Sequence, residues 1–273
     1  MTAAALPLRP AGLVGEAMRR QRELTIFGLL LLAIAALTAL AQTLDPRLVD
    51  GVNTWVKPTK FLVSVALFAL TAAWFFGFVR PDHRRSLAMR TTVATLIASA
   101  SFELLYLGFQ AWHGEASHFN TGTPFHAIMY MAMGIGAVLL VTTTVPLAWE
   151  IARRPAPGLT ADFRAAVVIG LVLTFALGGG LGGYMSSQTS HAVGIEGNGL
   201  PLVGWNRLGG DLRVAHFFGM HISQVLPVIA WAVSAATPTL RWTAVLGVAG
   251  VWIGVTLAVF VQATGGAPLV PMF

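Results

Sequence analysis

The sequence contains no cysteine and very little charge. Without cysteine, the chain can form no disulfide, no catalytic thiolate and no cysteine metal site. Charged residues make up only 10% of the 273 positions, whereas 56% are hydrophobic. A water-soluble domain of this composition would expose a large apolar surface. The composition therefore predicts an integral membrane protein.

Seven apolar runs are long enough to cross roughly 30 Å of hydrocarbon as helices. They cover residues 24–42, 61–79, 91–112, 125–149, 165–185, 215–236 and 242–262. No soluble domain interrupts them, so we predict one all-α domain over residues 1–273, a polytopic seven-transmembrane-helix bundle in a lipid bilayer. The Ala39-Leu40-Ala41 end of the first run leaves one alternative open, a cleaved signal sequence.

The basic residues predict an orientation, because lysine and arginine are retained on the cytoplasmic side of a membrane. Twelve of the 17 lie before the first run or in alternate loops: Arg9, Arg19, Arg20, Arg22, Arg80, Arg84, Arg85, Arg90, Arg153, Arg154, Arg164 and Arg241. The other five are Arg47, Lys57, Lys60, Arg207 and Arg213. This split predicts an inside amino terminus and an outside carboxyl terminus. Anionic lipid explains the basic excess without any nucleic acid.

Glu103 is the residue least suited to an apolar environment. It lies near the middle of the third run, ten residues before His113 and thus about 15 Å from it along a helix. Ser99, Glu103, Tyr106, Gln110 and His113 share one helix face by their spacing. A buried carboxyl group favours a functional role. Structural hydrogen bonding, a proton or ligand path and metal ligation all stay open.

Six of the seven histidines lie in or beside segments that the charge pattern places outside, and only His83 lies in an inner loop. Imidazole suits iron, copper, zinc and haem. We therefore expect a metal site drawn from His113, His118, His126, His216 and His221. For a cofactor such as haem, the expected ligands are His113, His126, His216 and His221. The residues expected to act in catalysis are Glu103, Tyr106 and Lys60.

Two features of the later runs refine this expectation. His216 and His221 are five residues apart, about 140° around a helix, so they cannot form an i,i+4 ligand pair. Either they contact different neighbours or the first turn is distorted. The glycine-rich stretch at 178–183 weakens its helix and lets another backbone or a flat cofactor approach. Together with the Gly250-xxx-Gly254 spacing, it also fits an oligomer contact.

Three segments resemble a group of bacterial seven-helix inner-membrane proteins to which no reaction is assigned. They are the WxKPxKF pattern at 55–61, the SHFNxxTPF pattern at 117–125 and the GGDLRxxHF pattern at 209–217. The resemblance extends from the second to the sixth run. It implies the seven-helix fold and a multi-pass location in the bacterial inner membrane.

The leading functional hypothesis is a metal- or haem-dependent oxidoreductase whose histidine-rich site lies near the outer leaflet and takes a small or lipophilic substrate. One alternative is a proton-coupled transporter or permease that uses Glu103. Another is a membrane accessory subunit without catalysis. The sequence leaves open whether the protein is an enzyme and which cofactor it would use.

Overall fold

The computed structural model describes residues 12–271 and is mostly helical. Arg9, one of the basic residues predicted inside, lies outside the described residues. Seven helices in this part of the chain are long and apolar enough to cross a membrane, which confirms the predicted all-α class. The chain forms two compact units, an amino-terminal unit within residues 12–157 and a carboxy-terminal unit within residues 158–271. Each is described by itself.

The amino-terminal unit contains six helices and a two-stranded antiparallel hairpin. The helices are α1 (Gly12–Arg20), α2 (Arg22–Leu44), α3 (Val56–Phe76), α4 (Leu87–His113), α5 (Pro124–Thr142) and α6 (Thr144–Arg153), and β1 (Leu48–Val49) pairs with β2 (Val52–Asn53). The fourth apolar run is thus divided into two helices at Thr143, whose hydroxyl donates to the Leu140 carbonyl over 2.6 Å.

Local sequence explains where these helices begin and end. Helix α3 starts five residues before the predicted run because Pro58 is tolerated in a first turn, where its missing N–H costs nothing. Lys57 and Lys60 therefore belong to the start of this helix. The Thr123 hydroxyl caps α5 by accepting from the His126 N–H. Helix α4 ends at Gly114, whose φ of 71° is the left-handed conformation that glycine adopts easily.

An arginine fixes one end of the amino-terminal unit. Arg20 is buried, and its guanidinium carbon lies 3.9 Å from the centroid of the Trp74 ring. It also donates to the Trp74 carbonyl over 2.9 Å and to the Glu16 carboxylate over 2.8 Å. Gly77 leaves the space that the guanidinium occupies, since a Cβ there would meet its atoms. The contact holds α1 against the end of α3 through stacking and charge-assisted hydrogen bonds.

The carboxy-terminal unit consists of three long helical segments and a structured loop. They comprise α7 (Ala161–Leu173), a π-helical segment (Thr174–Gly179), α8 (Gly180–Ser186), β3 (Ala192–Val193), β4 (Gly210–Asp211), α9 (Leu212–Ala232) and α10 (Pro238–Thr264). Strands β3 and β4 pair in antiparallel orientation. The predicted fifth helix is therefore continuous in space, but its hydrogen bonding changes where the glycines begin.

Glycines allow close backbone contact in this unit, as the sequence predicted. A Cβ on Gly219 of α9 would lie 2.7 Å from the backbone nitrogen of Gly178, and one on Gly170 would lie 2.9 Å from the Ser223 Cα. Neither position can accept a side chain without moving backbone atoms. The π-helical segment and α9 therefore pack at a distance that only glycine permits.

The GGDLR stretch has a structural role at the start of α9. The Asp211 carboxylate is buried and accepts from the backbone N–H groups of Arg213, at 3.0 Å, and Asn206, at 2.8 Å. Arg213 also pairs with it at 2.6 Å and donates to the Gly204 carbonyl. Gly210 packs directly against the Ala263 carbonyl. This network ties the loop before α9 to the first turn of that helix.

The close contact at Gly219 predicts a stability effect. Gly219→Ala should lower the free energy of unfolding by about 1–3 kcal/mol, because the new methyl group meets backbone rather than a movable side chain. Gly247→Ala on α10 is the matched control, since nothing lies within 4 Å of its Cβ position. Thermal unfolding of both purified variants in detergent measures the difference. Equal thermal unfolding midpoints for Gly219→Ala and the wild type would show that α9 and the π-helical segment pack less closely than this distance indicates.

Candidate functional site

Glu103 is buried in the amino-terminal unit, at the contact between α4 and α5. Its Oε1 atom lies 3.0 Å from the position that a Cβ on Gly136 would occupy, and the ring of Phe102 lies 3.5 Å from the same position. The residue as a whole is only 5% exposed. Glu103 therefore faces the protein interior. Gly136 supplies the room for the carboxyl group.

The predicted polar face of α4 is also confirmed. Ser99, Tyr106 and Gln110 are buried together with Glu103, each less than 9% exposed. His113, one turn further, is exposed, and its Nδ1 lies 2.9 Å from the Phe109 carbonyl of its own helix. The face thus passes from the covered middle of α4 to the solvent-accessible end.

Three side chains on this face, Glu103, Tyr106 and Gln110, form what we call the polar row. Glu103 Oε1, Tyr106 Oη and Gln110 Oε1 are buried and have no hydrogen-bond partner within residues 12–271. Leaving such an atom unpaired costs roughly 1–3 kcal/mol. At 1.5 Å per residue the row extends about 10 Å along α4. Buried polar atoms of this kind are normally satisfied by water or by a ligand.

The polar row leads to a contact between Glu115 and His126 at the end of α4. Gln110 Nε2 donates to the Ala116 carbonyl over 2.9 Å and lies 3.5 Å from Glu115 Oε2. The same Glu115 oxygen lies 3.0 Å from His126 Nε2. His126 Nδ1 in turn lies 2.9 Å from the Thr123 hydroxyl. Since the Glu115 side chain is 46% exposed, the row ends at groups that can exchange protons with solvent.

His118 occupies an aromatic setting in the loop between α4 and α5. Its ring lies 5.6 Å from that of Phe61 and 6.2 Å from that of Tyr130, and its Nδ1 lies 3.1 Å from the Ser117 hydroxyl. The next residue, Phe119, has a φ of 57°, which is strained for a bulky side chain. Burial, assisted by the charge of Lys57, lowers the pKa of His118 to about 3. The imidazole is therefore neutral at pH 7.

Lys57 is the lysine that sequence reasoning missed. Its ammonium group acts electrostatically on both Glu103 and His118. Lys60, which the sequence suggested for catalysis, is exposed at the same end of α3. The two lysines lie three residues apart in the first turns of α3, and Lys57 is the less exposed of the two. Spacing alone could not choose between them.

The two histidines of α9 contact different neighbours, which was the first of the two alternatives. His216 Nδ1 lies 2.9 Å from the Gly178 carbonyl in the π-helical segment, and its ring lies against Gly182. His221 Nδ1 lies 3.2 Å from Gln224 Oε1, and its ring packs 4.3 Å from that of Phe217. In each of these two histidines the contacting nitrogen is Nδ1, so Nε2 is the nitrogen that is left to bind a ligand.

The expected metal ligands have separate partners. Within residues 12–271, no three histidine, aspartate or glutamate side chains form a group that could hold a metal ion. His113, His118 and His126 contact the Phe109 carbonyl, Ser117 and Glu115, respectively. The metal or haem site from these residues stays a prediction.

Comparisons with protein-family models, with curated proteins and with solved structures give no match to this chain. The chemistry of its own side chains is therefore the basis for a functional assignment.

The low pKa of His118 predicts acid sensitivity. In the native state this imidazole has a pKa of about 3, whereas an unfolded histidine has one near 6.5. Between these values the unfolded chain binds more protons, so the stabilising contribution is complete above pH 6.5 and is lost as the pH falls toward 3. In His118→Gln, the thermal unfolding midpoint should fall less between pH 7.5 and pH 4.5 than it does in the wild type. If the unfolding midpoint of His118→Gln fell with pH as steeply as that of the wild type, His118 would not be the source of the acid sensitivity.

Proposed function

We propose that this chain is a multi-pass protein of the bacterial inner membrane, with seven transmembrane helices, an inside amino terminus and an outside carboxyl terminus. Seven helices of sufficient length and apolar character support the crossing of a bilayer. The split of twelve basic residues against five supports the orientation. Large apolar side chains on α10, such as Val251 and Val261, are more than 60% exposed, as expected for a surface that faces lipid.

Its proposed activity is proton-coupled transport, with Glu103 as the proton-binding group of the amino-terminal unit. The observation that carries this proposal is the polar row, three buried polar atoms on one face of α4 that have no partner within residues 12–271. A helix that only needed polar contacts for packing would pair these atoms with a neighbouring helix. Opposite Glu103, α5 provides the space at Gly136 and a backbone hydrogen bond from Ala137 to the carboxyl group, and the Oε1 atom still has no partner within residues 12–271.

The chemistry of the row fits proton movement. A carboxylate accepts a proton, a tyrosine hydroxyl both donates and accepts, and the Gln110 amide oxygen accepts. Water molecules that bridge these groups would connect Glu103 to the exposed Glu115 and its partly buried partner His126 at the end of α4. A proton taken up by this pair would pass along the bridging waters to the Glu103 carboxylate. Binding it there removes a charge that is costly to bury.

The test replaces the titratable group and keeps its shape. Glu103→Gln should lower proton flux into proteoliposomes at least tenfold, because an amide cannot carry the proton, while the variant still purifies as a monodisperse protein. Flux is measured with a pH-sensitive dye inside the vesicles under a potassium diffusion potential. Glu23→Gln is the matched control, since Glu23 is exposed at the start of α2. Wild-type flux in Glu103→Gln would exclude the proton role of Glu103.

A second function, haem- or metal-dependent oxidoreduction, is favoured by one contact in the carboxy-terminal unit. An imidazole whose Nδ1–H donates to a backbone carbonyl is oriented to use Nε2 as a ligand, and His216 is placed in this way by Gly178. Gly182 leaves room for this imidazole, because a Cβ there would lie 2.9 Å from the His216 Cε1 atom.

This second function predicts an optical or elemental signature. Protein purified from cells supplied with haem precursor and transition metals should show a Soret band or stoichiometric metal, and His216→Ala should lose it. Protein that purifies without either signal under these conditions contradicts the second function and leaves the proton-coupled function unaffected.

A further inference from the structure

A second group of titratable side chains lies at the other end of α4 from Glu115 and His126. The turn that precedes α4 carries Asp82 and His83, and α6 carries Glu150. His83 Nε2 lies 3.9 Å from Asp82 Oδ2, and His83 Nδ1 lies 3.7 Å from Glu150 Oε2. One imidazole therefore stands between two carboxylates, with a different ring nitrogen facing each.

The three side chains form a gradient of exposure. Asp82 is 61% exposed, His83 is 27% exposed and Glu150 is 7% exposed. Glu150 Oε2 is fully covered and has no hydrogen-bond partner within residues 12–271. Its second oxygen, Oε1, accepts from Arg154 over 2.8 Å. The oxygen that faces the imidazole is thus the one left available to accept a proton.

Backbone contacts fix this arrangement. The Arg80 N–H donates to the Arg154 carbonyl over 2.9 Å, and the Ala156 N–H donates to the Phe78 carbonyl over 2.8 Å. Val79 and Pro155 form an isolated antiparallel bridge between these two bonds. The turn that carries His83 is therefore held against the segment that follows Glu150, and their separation does not depend on the side chains alone.

We propose that Asp82, His83 and Glu150 form a proton relay, which we call the inner relay, at the cytoplasmic end of the amino-terminal unit. The proposal rests on the proposed function, because it supplies the second exchange site that proton movement across the whole membrane requires. Glu115 and His126 serve the outer end of α4, and the inner relay serves the end that begins at Leu87.

The transfer conserves protons at each atom. Solvent adds a proton to His83 Nε2 beside Asp82, and the proton on Nδ1 leaves to Glu150 Oε2, so that the ring returns to a neutral state with its tautomer exchanged. Rotation of the neutral ring then restores the first tautomer and leaves the transferred proton on Glu150. The charged groups around the relay are Arg80, which pairs with Asp82 over 2.7 Å, and Arg154, which pairs with Glu150. Arg80 lowers the pKa of Asp82 through its hydrogen bond, so the exposed end of the relay keeps a carboxylate beside the imidazole.

Hydroxyl groups continue the polar face of α4 from this end toward Glu103. Thr92 and Ser99 are buried on that face, 11 and 4 residues before Glu103. Their hydroxyl groups donate to the carbonyls of Ala88 and Thr95 over 2.7 Å each. Each hydroxyl oxygen keeps lone pairs that can accept from water. Thr92, Ser99 and the polar row therefore share one face of α4, the helix that begins beside the inner relay.

The experiment compares variants at both ends of α4 in the same proteoliposome assay. His83→Gln and Glu150→Gln should each lower proton flux about tenfold, the lower range of a general acid–base contribution. Asp82→Asn is a further variant at an exposed position where folding is not at risk, and it should lower the flux less. Glu23→Gln again serves as the control.

Added imidazole should restore part of the proton flux in His83→Ala, and it should not restore the flux in Glu103→Gln.

Rescue by imidazole separates a proton carrier from a residue that only supports the fold. Wild-type flux in His83→Gln, His83→Ala and Glu150→Gln, together with loss of flux in Glu103→Gln, would overturn the inner relay and leave the proposed function intact. Reduced flux in His83→Ala that imidazole cannot restore would also overturn it, since the role would then be structural. Absence of flux in the wild type would overturn the proposed function and the relay together.

Discussion

The central physical constraint in the amino-terminal unit is the burial of a carboxyl group between two apolar helices. Such a group is tolerated only if it is neutral, paired or hydrated. Helix α5 contributes Gly136 at the contact, so the Glu103 carboxyl group gains space without a side-chain partner. Further along α4, the Tyr106 hydroxyl and the Gln110 amide oxygen are likewise buried without a hydrogen-bond partner within residues 12–271. The glycine at position 136 is therefore what allows a carboxyl group to lie at this helix contact.

The two compact units use small residues for different purposes. In the amino-terminal unit, Gly77 and Gly136 leave space for polar side chains, a guanidinium and a carboxyl group. In the carboxy-terminal unit, Gly170, Gly178 and Gly219 bring backbones into direct contact. The first arrangement holds charge-bearing groups inside apolar surroundings, whereas the second gives a tight helix interface. Titratable side chains with unpaired buried atoms on a continuous helix face occur along α4, which is why the proton-coupled function is assigned to that unit.

Sequence periodicity predicted the helical class and the buried face of α4, because both depend on local spacing and hydrophobicity. Ser99, Glu103, Tyr106 and Gln110 follow a helical repeat that any single helix must obey. The same reasoning could not identify Lys57, since the side chains that its charge affects, Glu103 and His118, belong to α4 and to the loop after α4. It also gave His83 no role, because the partner of that imidazole, Glu150, lies 67 positions later in the chain. Residue spacing predicts the faces of a single helix, but it cannot predict contacts between residues that are distant in sequence.

The π-helical segment from Thr174 to Gly179 has a consequence for the phase of the helix that follows it. A π turn accommodates one more residue than an α turn, so every later side chain is rotated by about 100° relative to an uninterrupted α-helix. In the resulting phase, Gly182 of α8 lies beside the His216 ring. Deletion of a single residue within the segment would therefore turn a different face of α8 toward the imidazole, although composition and hydropathy would hardly change.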